Sequence, residues 1–308
     1  MEINVCPSCN CQEYSLIGQL GTAINVVIDN DIFCQPDYRV RSCLNCGLYY
    51  KSSFMDEQSL LKYYLKIDPL KWESHNLYPT EKKIIELILK LDIGSKILDF
   101  GCSTGRLLSP LTSRYKCFGV ELNESASQVA NNKGINIITE EELISFNQES
   151  GFDVIVMCDV FEHLIHPTDV LRYLFNSLKS GGLLIICTGN GDAKFCKKDI
   201  ANFWYLRNIE HITMFSYRYA QFLEKDLKCK LLSYDTLSHY ELTLYEKISQ
   251  YIKTIVYWQF KEGKNLILRS LLKMIPLIRN AENWSIPPYF VASRDHVIAV
   301  FQKTLITD

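Results

Sequence analysis

No apolar run in the 308 residues approaches the 18 needed for a membrane-crossing helix. The N-terminus (MEINVCPSCN) also lacks a basic stretch leading into an apolar one. Neither a spanning helix nor a secretory signal is therefore expected, and a cytoplasmic location is. Net charge is almost absent: 33 Lys plus Arg stand against 35 Asp plus Glu, giving -2 and a pI near 6.3. Such a balance offers no general electrostatic reason to bind nucleic acid, and no nucleic-acid partner is expected. Internal repeats and low-complexity tracts are missing too. What is there is a globular composition, 47% apolar and 22% charged, with length for two domains or one large domain with additions.

The cysteines break this evenness. Six of the 12 (Cys6, Cys9, Cys11, Cys34, Cys43 and Cys46) fall in the first 46 residues. Without an export signal the thiols stay reduced, which disfavours a disulfide framework. Cys6-Pro7-Ser8-Cys9 and Cys43-Leu44-Asn45-Cys46 are two C-x-x-C knuckles with 33 residues between them, and Gly47 follows the second. Two knuckles supply the four thiolates of a tetrahedral Zn²⁺ site, and a site with four protein ligands has no open position, so the zinc is expected to be structural. Cys11 and Cys34 are spare.

Residues 1–50 read as short strands between polar turns and carry two Arg against five acids, a net of -3. Residues 51–93 turn helical, with Thr80 expected as an N-cap before Ile84, Leu87, Ile88 and Leu91. From there strands and helices alternate. Strands are expected at 96–100, 117–122, 135–138, 153–157, 183–187, 230–234 and 296–303. A helix is expected after the first strand, another capped by Asn123, a third capped by Thr168, and one after Ser216. This alternation implies a parallel, doubly wound α/β sheet. A segment at about 245–282 interrupts it with two apolar helical stripes. Over 245–280 it holds five Lys, including Lys247, Lys253, Lys261, Lys264 and Lys273, and two Arg against two Glu, a net of +5.

The central signal is Ile97-Leu98-Asp99-Phe100-Gly101-Cys102-Ser103-Thr104-Gly105-Arg106. An apolar strand runs into a small-residue loop that can bring backbone N–H groups to a ligand at the sheet's C-terminal edge. Nicotinamide and flavin folds want G-x-G-x-x-G, whereas position 106 is Arg and the glycine falls at 105. Asp99 would repel a pyrophosphate but can hold an ammonium group. Glu121 ends the next strand, 22 residues on, where a carboxylate can accept both ribose hydroxyls.

On these residues the stretch from Lys96 to Thr188 resembles the class I S-adenosylmethionine (SAM)-dependent methyltransferases. The family's three-glycine motif appears as LDFGCSTG, with Ser103 at the middle glycine. The resemblance implies a seven-stranded Rossmann-like sheet. It also implies that Asp99, Gly101, Ser103 and Gly105 hold the methionine end of the cofactor, that Glu121 holds the ribose, and that Glu140 or Thr139 faces the adenine. Phe152-Asp153-Val154-Ile155 and Cys158-Asp159-Val160-Phe161-Glu162-His163-Leu164 match the fourth motif, placing Asp159 beside the cofactor pocket. Leu178–Leu184 matches the turn before the fifth strand. The zinc-ribbon-like segment, the Tyr63-Tyr64 helical stretch, and Trp204 ahead of Glu210-His211 further resemble bacterial methyltransferases of sugar and polysaccharide pathways.

The expected organisation is a zinc module (1–50), a helical lid or linker (51–93) and a SAM-binding domain (94–308) bearing the helical insertion. The expected reaction is O-methylation of a sugar, sugar nucleotide or saccharide-bearing glycolipid. C-methylation of a nucleotide-linked keto-sugar is the near rival, and RNA methylation the alternative of another class. His211 is the expected general base, because a neutral imidazole can take the acceptor's proton, and Glu210 orients it or the acceptor. Glu162-His163 is the weaker pair. Tyr63, Tyr64 and Trp72 are read as a lid over the cofactor. The basic insertion packs on the sheet, forms a dimer surface, or meets anionic lipid at the inner face of the membrane. The oligomeric state is left open.

Overall fold

In the computed structural model, residues 1–68, 76–147, 149–263, 265–275, 278, 280–288 and 294–304 are described. Trp72 and Lys264 lie outside them. The first 51 residues form five short antiparallel strands: β1 (Tyr14–Leu20), β2 (Ile24–Ile28), β3 (Asp31–Gln35), β4 (Tyr38–Cys43) and β5 (Tyr49–Lys51). β2 and β3 make a hairpin of their own, whereas β1, β4 and β5 share a sheet whose fourth strand, Thr213–Met214, comes from far downstream.

Two helices follow. α1 (Glu57–Lys66) starts at Asp56, whose carboxylate accepts the Ser59 N–H at 2.9 Å. α2 (Pro79–Ile88) is not capped by Thr80: Tyr78 is the N-cap residue, its N–H donates to Glu81 at 2.8 Å, and Pro79 takes the first helical position, where an N–H is dispensable. Thr80 is buried within the first turn.

Apolar strands such as KILDF and KCFGV gain most when both faces are covered, which drives them into a parallel sheet with helices on each side. Beyond residue 95 the chain forms β6 (Lys96–Phe100), β7 (Lys116–Val120), α3 (Glu124–Asn132), β8 (Asn136–Ile137), α4 (Glu140–Ile144) and β9 (Phe152–Cys158). Then come α5 (Pro167–Asn176), β10 (Leu178–Gly189), α6 (Lys194–Lys198), β11 (Thr213–Met214), α7 (Tyr217–Asp226) and β12 (Cys229–Leu237). The last elements are α8 (Leu244–Glu262), α9 (Leu266–Lys273) and β13 (His296–Lys303). Seven strands join in the order β12-β13-β10-β9-β6-β7-β8, as expected for this fold class. β6 to β10 run parallel, and β13 lies antiparallel between β10 and β12. Alternate side chains cover opposite faces: Ile97, Val154, Val156 and Ile185 pack with Ile84 and Ile88 of α2, while Leu98, Ile155, Met157 and Ile186 pack with Leu171 and Leu174 of α5.

Two local expectations change. No regular helix follows β6; residues 101–115 make turns and a 3₁₀ turn at Ser109–Leu111. Pro110 lacks the N–H that a continuing helix would need, which breaks it there. Thr168 is likewise not a cap. His166 holds that position, Pro167 opens the helix, and the buried Thr168 hydroxyl meets Tyr219 Oη at 3.2 Å and Ser8 Oγ. The expected cap Asn123 is present, and Ser216, after which a helix was expected, also serves as a cap, each accepting an N–H three residues on.

The carboxyl ends of β6, β7, β9 and β10 line one edge of the sheet. β12 runs with β10 and ends at that edge, and β13 begins there, so 238–295 is inserted at the same edge. The Thr168 hydroxyl ties the Ser8 knuckle to α5 and α7. Thr168→Val should take one partner each from the buried Ser8 and Tyr219 hydroxyls, which still hold each other at 3.1 Å, and cost about 1 kcal/mol, whereas Thr168→Ser should not; denaturant melts of the three proteins would read this.

Candidate functional site

Each C-x-x-C segment folds as a knuckle. The Asn10 N–H donates to Cys6 O at 3.0 Å and the Gly47 N–H to Cys43 O at 3.0 Å, and both residues are left-handed, at φ 56° and 79°. The four sulfurs of Cys6, Cys9, Cys43 and Cys46 lie within 4.8 Å of one another, with Cys6–Cys46 and Cys9–Cys43 both at 3.5 Å. A tetrahedral ion bonded to sulfur at about 2.3 Å places sulfurs about 3.8 Å apart, so the donor set fits a metal ion. Cys34 is exposed and apart from the cluster; Cys11 sits at its margin, its sulfur accepting the Glu13 N–H.

At the end of β6 the loop 101–105 uses three left-handed residues: Gly101 (φ 79°), Ser103 (φ 47°) and Gly105 (φ 75°). A Cβ on Gly101 would meet Val160 Cγ2 at 2.4 Å, and one on Gly105 would meet Ile135 Cδ1 at 2.3 Å, so both positions require glycine. Asp99 is buried behind the loop, and its Oδ1 has no hydrogen-bond partner. Burial, with Glu81 and Glu121 nearby, pushes its carboxyl up to about 8. An orphaned buried carboxylate oxygen fits the ammonium group of an amino-acid-bearing cofactor. Glu121 accepts the Ser103 N–H at 2.9 Å and the Asn123 N–H at 2.7 Å, so it fastens the loop and keeps further lone pairs for a hydroxyl. Glu140 opens α4 and accepts from Tyr173 Oη at 3.4 Å. Arg106 is neither a loop cation nor a failed glycine. It binds Glu81 of α2 at 2.8 Å and lies over the Tyr78 ring at 4.5 Å.

Beyond β9 stands a second polar group. Asp159 is left-handed (φ 53°), accepts from Tyr205 Oη at 3.2 Å, and lies 3.2 Å from His296 Nε2 and 4.0 Å from His239 Nδ1. Glu162 is wholly buried; one oxygen accepts from Thr188 Oγ1 at 2.7 Å and the other from the same Tyr205 hydroxyl. His163 Nε2 at 3.7 Å and His211 Nε2 at 3.9 Å flank that second oxygen. Four of the chain's six histidines thus gather around two carboxylates three residues apart.

Their environments pull the two acids in opposite directions. Burial pushes Asp159 up, but the hydrogen bond and charge of His296, with His239 and His211, outweigh it and hold the carboxyl well below the usual range. Burial, aided by Asp159, pushes Glu162 above its ordinary value. For His296, burial is overcome by Asp159 and Asp295, which hold it protonated well above the usual imidazole value. Burial lowers His239 to about 4, and burial, with the His163 and Lys51 side chains nearby, pulls His211 well below 6.5, so both are neutral imidazoles. Acids separated in this way mark acid–base sites.

The structure brings His211 together with Glu162, His163 and Tyr205 rather than with Glu210. Glu210 turns instead to Tyr63 Oη at 3.3 Å. Tyr64 Oη lies 2.9 Å from His163 Nδ1. Tyr64 therefore touches the histidine cluster, and Tyr63 lies beside it through the Tyr64 ring and Glu210. Tyr205, His239, Asp295 and His296 were not singled out from the sequence. No local motif contains them, although His239 and Asp295-His296 border the two expected C-terminal strands.

A methyltransferase domain profile matches residues 72–226. The chain is 30% identical over 129 residues to a ubiquinone biosynthesis O-methyltransferase of Pseudomonas fluorescens, covering 39% of this chain and 55% of that protein. It is 29% identical over 166 residues to the protein of the same name from Coxiella burnetii, covering 51% and 68%. It spans about half the length of the Pseudomonas relatives. The YcgJ protein of Bacillus subtilis matches in structure with a TM-score of 0.50 at 14% identity, over 73% of this chain and 98% of that one, a likeness of fold.

Asp99 yields a proton-linked prediction. With its carboxyl at about 8 in the free protein, an arriving ammonium should ionise it and release a proton. Affinity for S-adenosylhomocysteine should therefore rise with pH up to that value and then level off. Calorimetry at pH 7 in buffers of different ionisation enthalpy should show the release, and Asp99→Asn should lose it together with most of the affinity.

Proposed function

The chain belongs to the methyltransferase domain family and so carries a SAM-dependent methyltransferase domain, and from that premise we propose that the whole protein methylates a hydroxyl oxygen of a sugar, sugar nucleotide or saccharide-bearing glycolipid. The observation that carries the chemistry is His211: buried, neutral, with Nδ1 lacking a partner and Nε2 facing Glu162. Such an imidazole can take the acceptor's proton as its oxygen attacks the methyl group. Asp99 and Glu121 hold the cofactor's ammonium and ribose; the loop at Gly101, Ser103 and Gly105 lets its backbone approach. Glu140 would face the adenine, and Asp159, which holds His296 at 3.2 Å, would border the cofactor pocket. Bound SAM supplies the electrophilic methyl.

A polyhydroxylated acceptor is supported by the character of the wall around His211. Tyr64, His163, Tyr205 and Glu162 present hydroxyl, imidazole and carboxylate groups in place of an apolar slot. The relatives' names favour a second reading, a hydroxyl acceptor of ubiquinone biosynthesis. Incubation with methyl-labelled SAM and panels of nucleotide sugars and of phenolic quinone precursors, read by mass, separates the two. NMR of the product then tells oxygen from carbon methylation, since a keto-sugar carbon acceptor would need the same base.

For His211 as base, the acid limb of kcat/KM should fall below pH 6.5, because burial disfavours the imidazolium form. His211→Gln should lower kcat by roughly 10²–10⁴ and flatten that limb while leaving S-adenosylhomocysteine binding intact; unchanged turnover would remove the role. Cys6, Cys9, Cys43 and Cys46 are proposed to hold one structural zinc ion. Elemental analysis should find one equivalent in the protein and none in Cys43→Ser, whose melting temperature should fall.

A further inference from the structure

Exposed apolar surface is concentrated in one segment. Of the 28 large apolar side chains that stand exposed among the described residues, 12 lie between Leu244 and Ile275. On α8, Leu244, Tyr245, Ile248, Tyr251, Ile252 and Ile255 recur at helical spacing on one exposed face. Another face of the same helix is buried: Val256 and Phe260 pack against Ile278 and Ala281. α9 has no buried residue at all, and Leu266, Ile267, Leu271 and Met274 are more than half exposed. A patch this continuous on a water-soluble fold marks an interaction surface.

Charge selects the occupant. Lys247, Lys253, Lys261, Arg269 and Lys273 share these helices with two acids, Glu246 and Glu262. Both acids are engaged inside the protein: Glu246 accepts the Thr243 N–H at 2.8 Å at the helix start, and Glu262 pairs with Lys198 at 3.1 Å. Two copies of a cationic apolar face would repel each other, whereas an anionic bilayer offers apolar depth beneath a negative surface. No described helix is long and apolar enough to cross a membrane, so the fit is to its surface.

We propose that the α8–α9 face docks on an anionic phospholipid bilayer. The segment leaves the sheet after β12 and returns at β13. Its two roots, His239 and Asp295-His296, stand beside Asp159 at the mouth of the histidine site. Docking therefore holds that mouth near the lipid headgroups, where an acceptor carried on a lipid is reached without leaving the membrane. The contact does not depend on which acceptor is methylated, and vesicle binding tests it separately from activity.

The test is flotation of the full-length protein with vesicles of phosphatidylcholine plus phosphatidylglycerol and with pure phosphatidylcholine vesicles. The protein should float with the anionic vesicles only, and less so as salt rises. Lys247→Gln and Lys253→Gln should each weaken partitioning roughly fivefold, and Ile252→Asp with Ile267→Asp should abolish it. Unchanged melting temperatures and S-adenosylhomocysteine binding would show that these surface variants remain folded. Failure to float at low salt overturns the proposal, and so does equal binding to neutral vesicles unaffected by the lysine changes. A concentration-dependent dimer broken by Ile252→Asp would also overturn it, assigning the face to a second copy.

Discussion

Two carboxylates three residues apart, the wholly buried Glu162 and the two-thirds-buried Asp159, joined by the single hydroxyl of Tyr205, set the terms for the rest of the site. A buried carboxylate costs several kcal/mol unless donors or cations compensate it. Compensation here is drawn from every segment that follows β9. Thr188 comes from the end of β10, Tyr205 and His211 from the long connection to β11, and His239 and His296 from the ends of β12 and β13. None of these segments is near Asp159 in sequence. The pair is what makes their convergence at the sheet's carboxyl edge worth its conformational cost.

The same requirement explains why the cysteine module is built into the catalytic half rather than appended to it. β11 pairs with β5, and the Lys51 N–H donates to Ile212 O at 2.9 Å while the Ile212 N–H donates to Glu162 O at 2.7 Å. The buried Lys51 amine donates to Asn208 O at 2.9 Å, and burial lowers it to about 7. Ser216 Oγ donates to Gly47 O at 2.7 Å, next to the second knuckle. His211 is thus held on one side by the acid pair and on the other by the cysteine-bearing sheet. A metal that stiffens the knuckles would position the histidine through the β5–β11 ladder while touching neither cofactor nor acceptor.

What the sequence disclosed and what it concealed divide along a physical line. Features fixed by neighbours in the chain were legible: the glycine loop with Asp99, the acid at Glu121, the two knuckles, the cap Asn123 and the helix after Ser216. The two misread caps share one cause. Thr80 and Thr168 each follow a proline, and proline at the first helical position moves the cap to the residue before it, here Tyr78 and His166. The threonines were left inside, where Thr168 serves tertiary contacts. The helix expected after β6 did not form, and only a 3₁₀ turn containing Pro110 lies there. His239, Asp295 and His296 were hidden because only strand pairing, β13 between β10 and β12, brings them to Asp159. Glu210 and His211 are adjacent in sequence, yet they face different partners, Tyr63 and Glu162, so adjacency misdirects where long-range geometry decides.

The opposed proton affinities at this edge bear on transfer from a sulfonium. The positive charge on sulfur is dissipated as the methyl group leaves, so bare carboxylates beside it would stabilise the ground state more than the transition state and slow the reaction. Each acid here is relieved of that role. Asp99, raised by burial to about 8, is a carboxyl that an ammonium ligand would neutralise. Asp159 is balanced by His296, which Asp295 also helps keep protonated. Glu162 is pushed toward its neutral form while accepting two hydroxyl hydrogen bonds. The edge thus gathers acids whose charge is largely offset, so that in the proposed reaction the acceptor's oxygen, rather than a protein carboxylate, would meet the methyl.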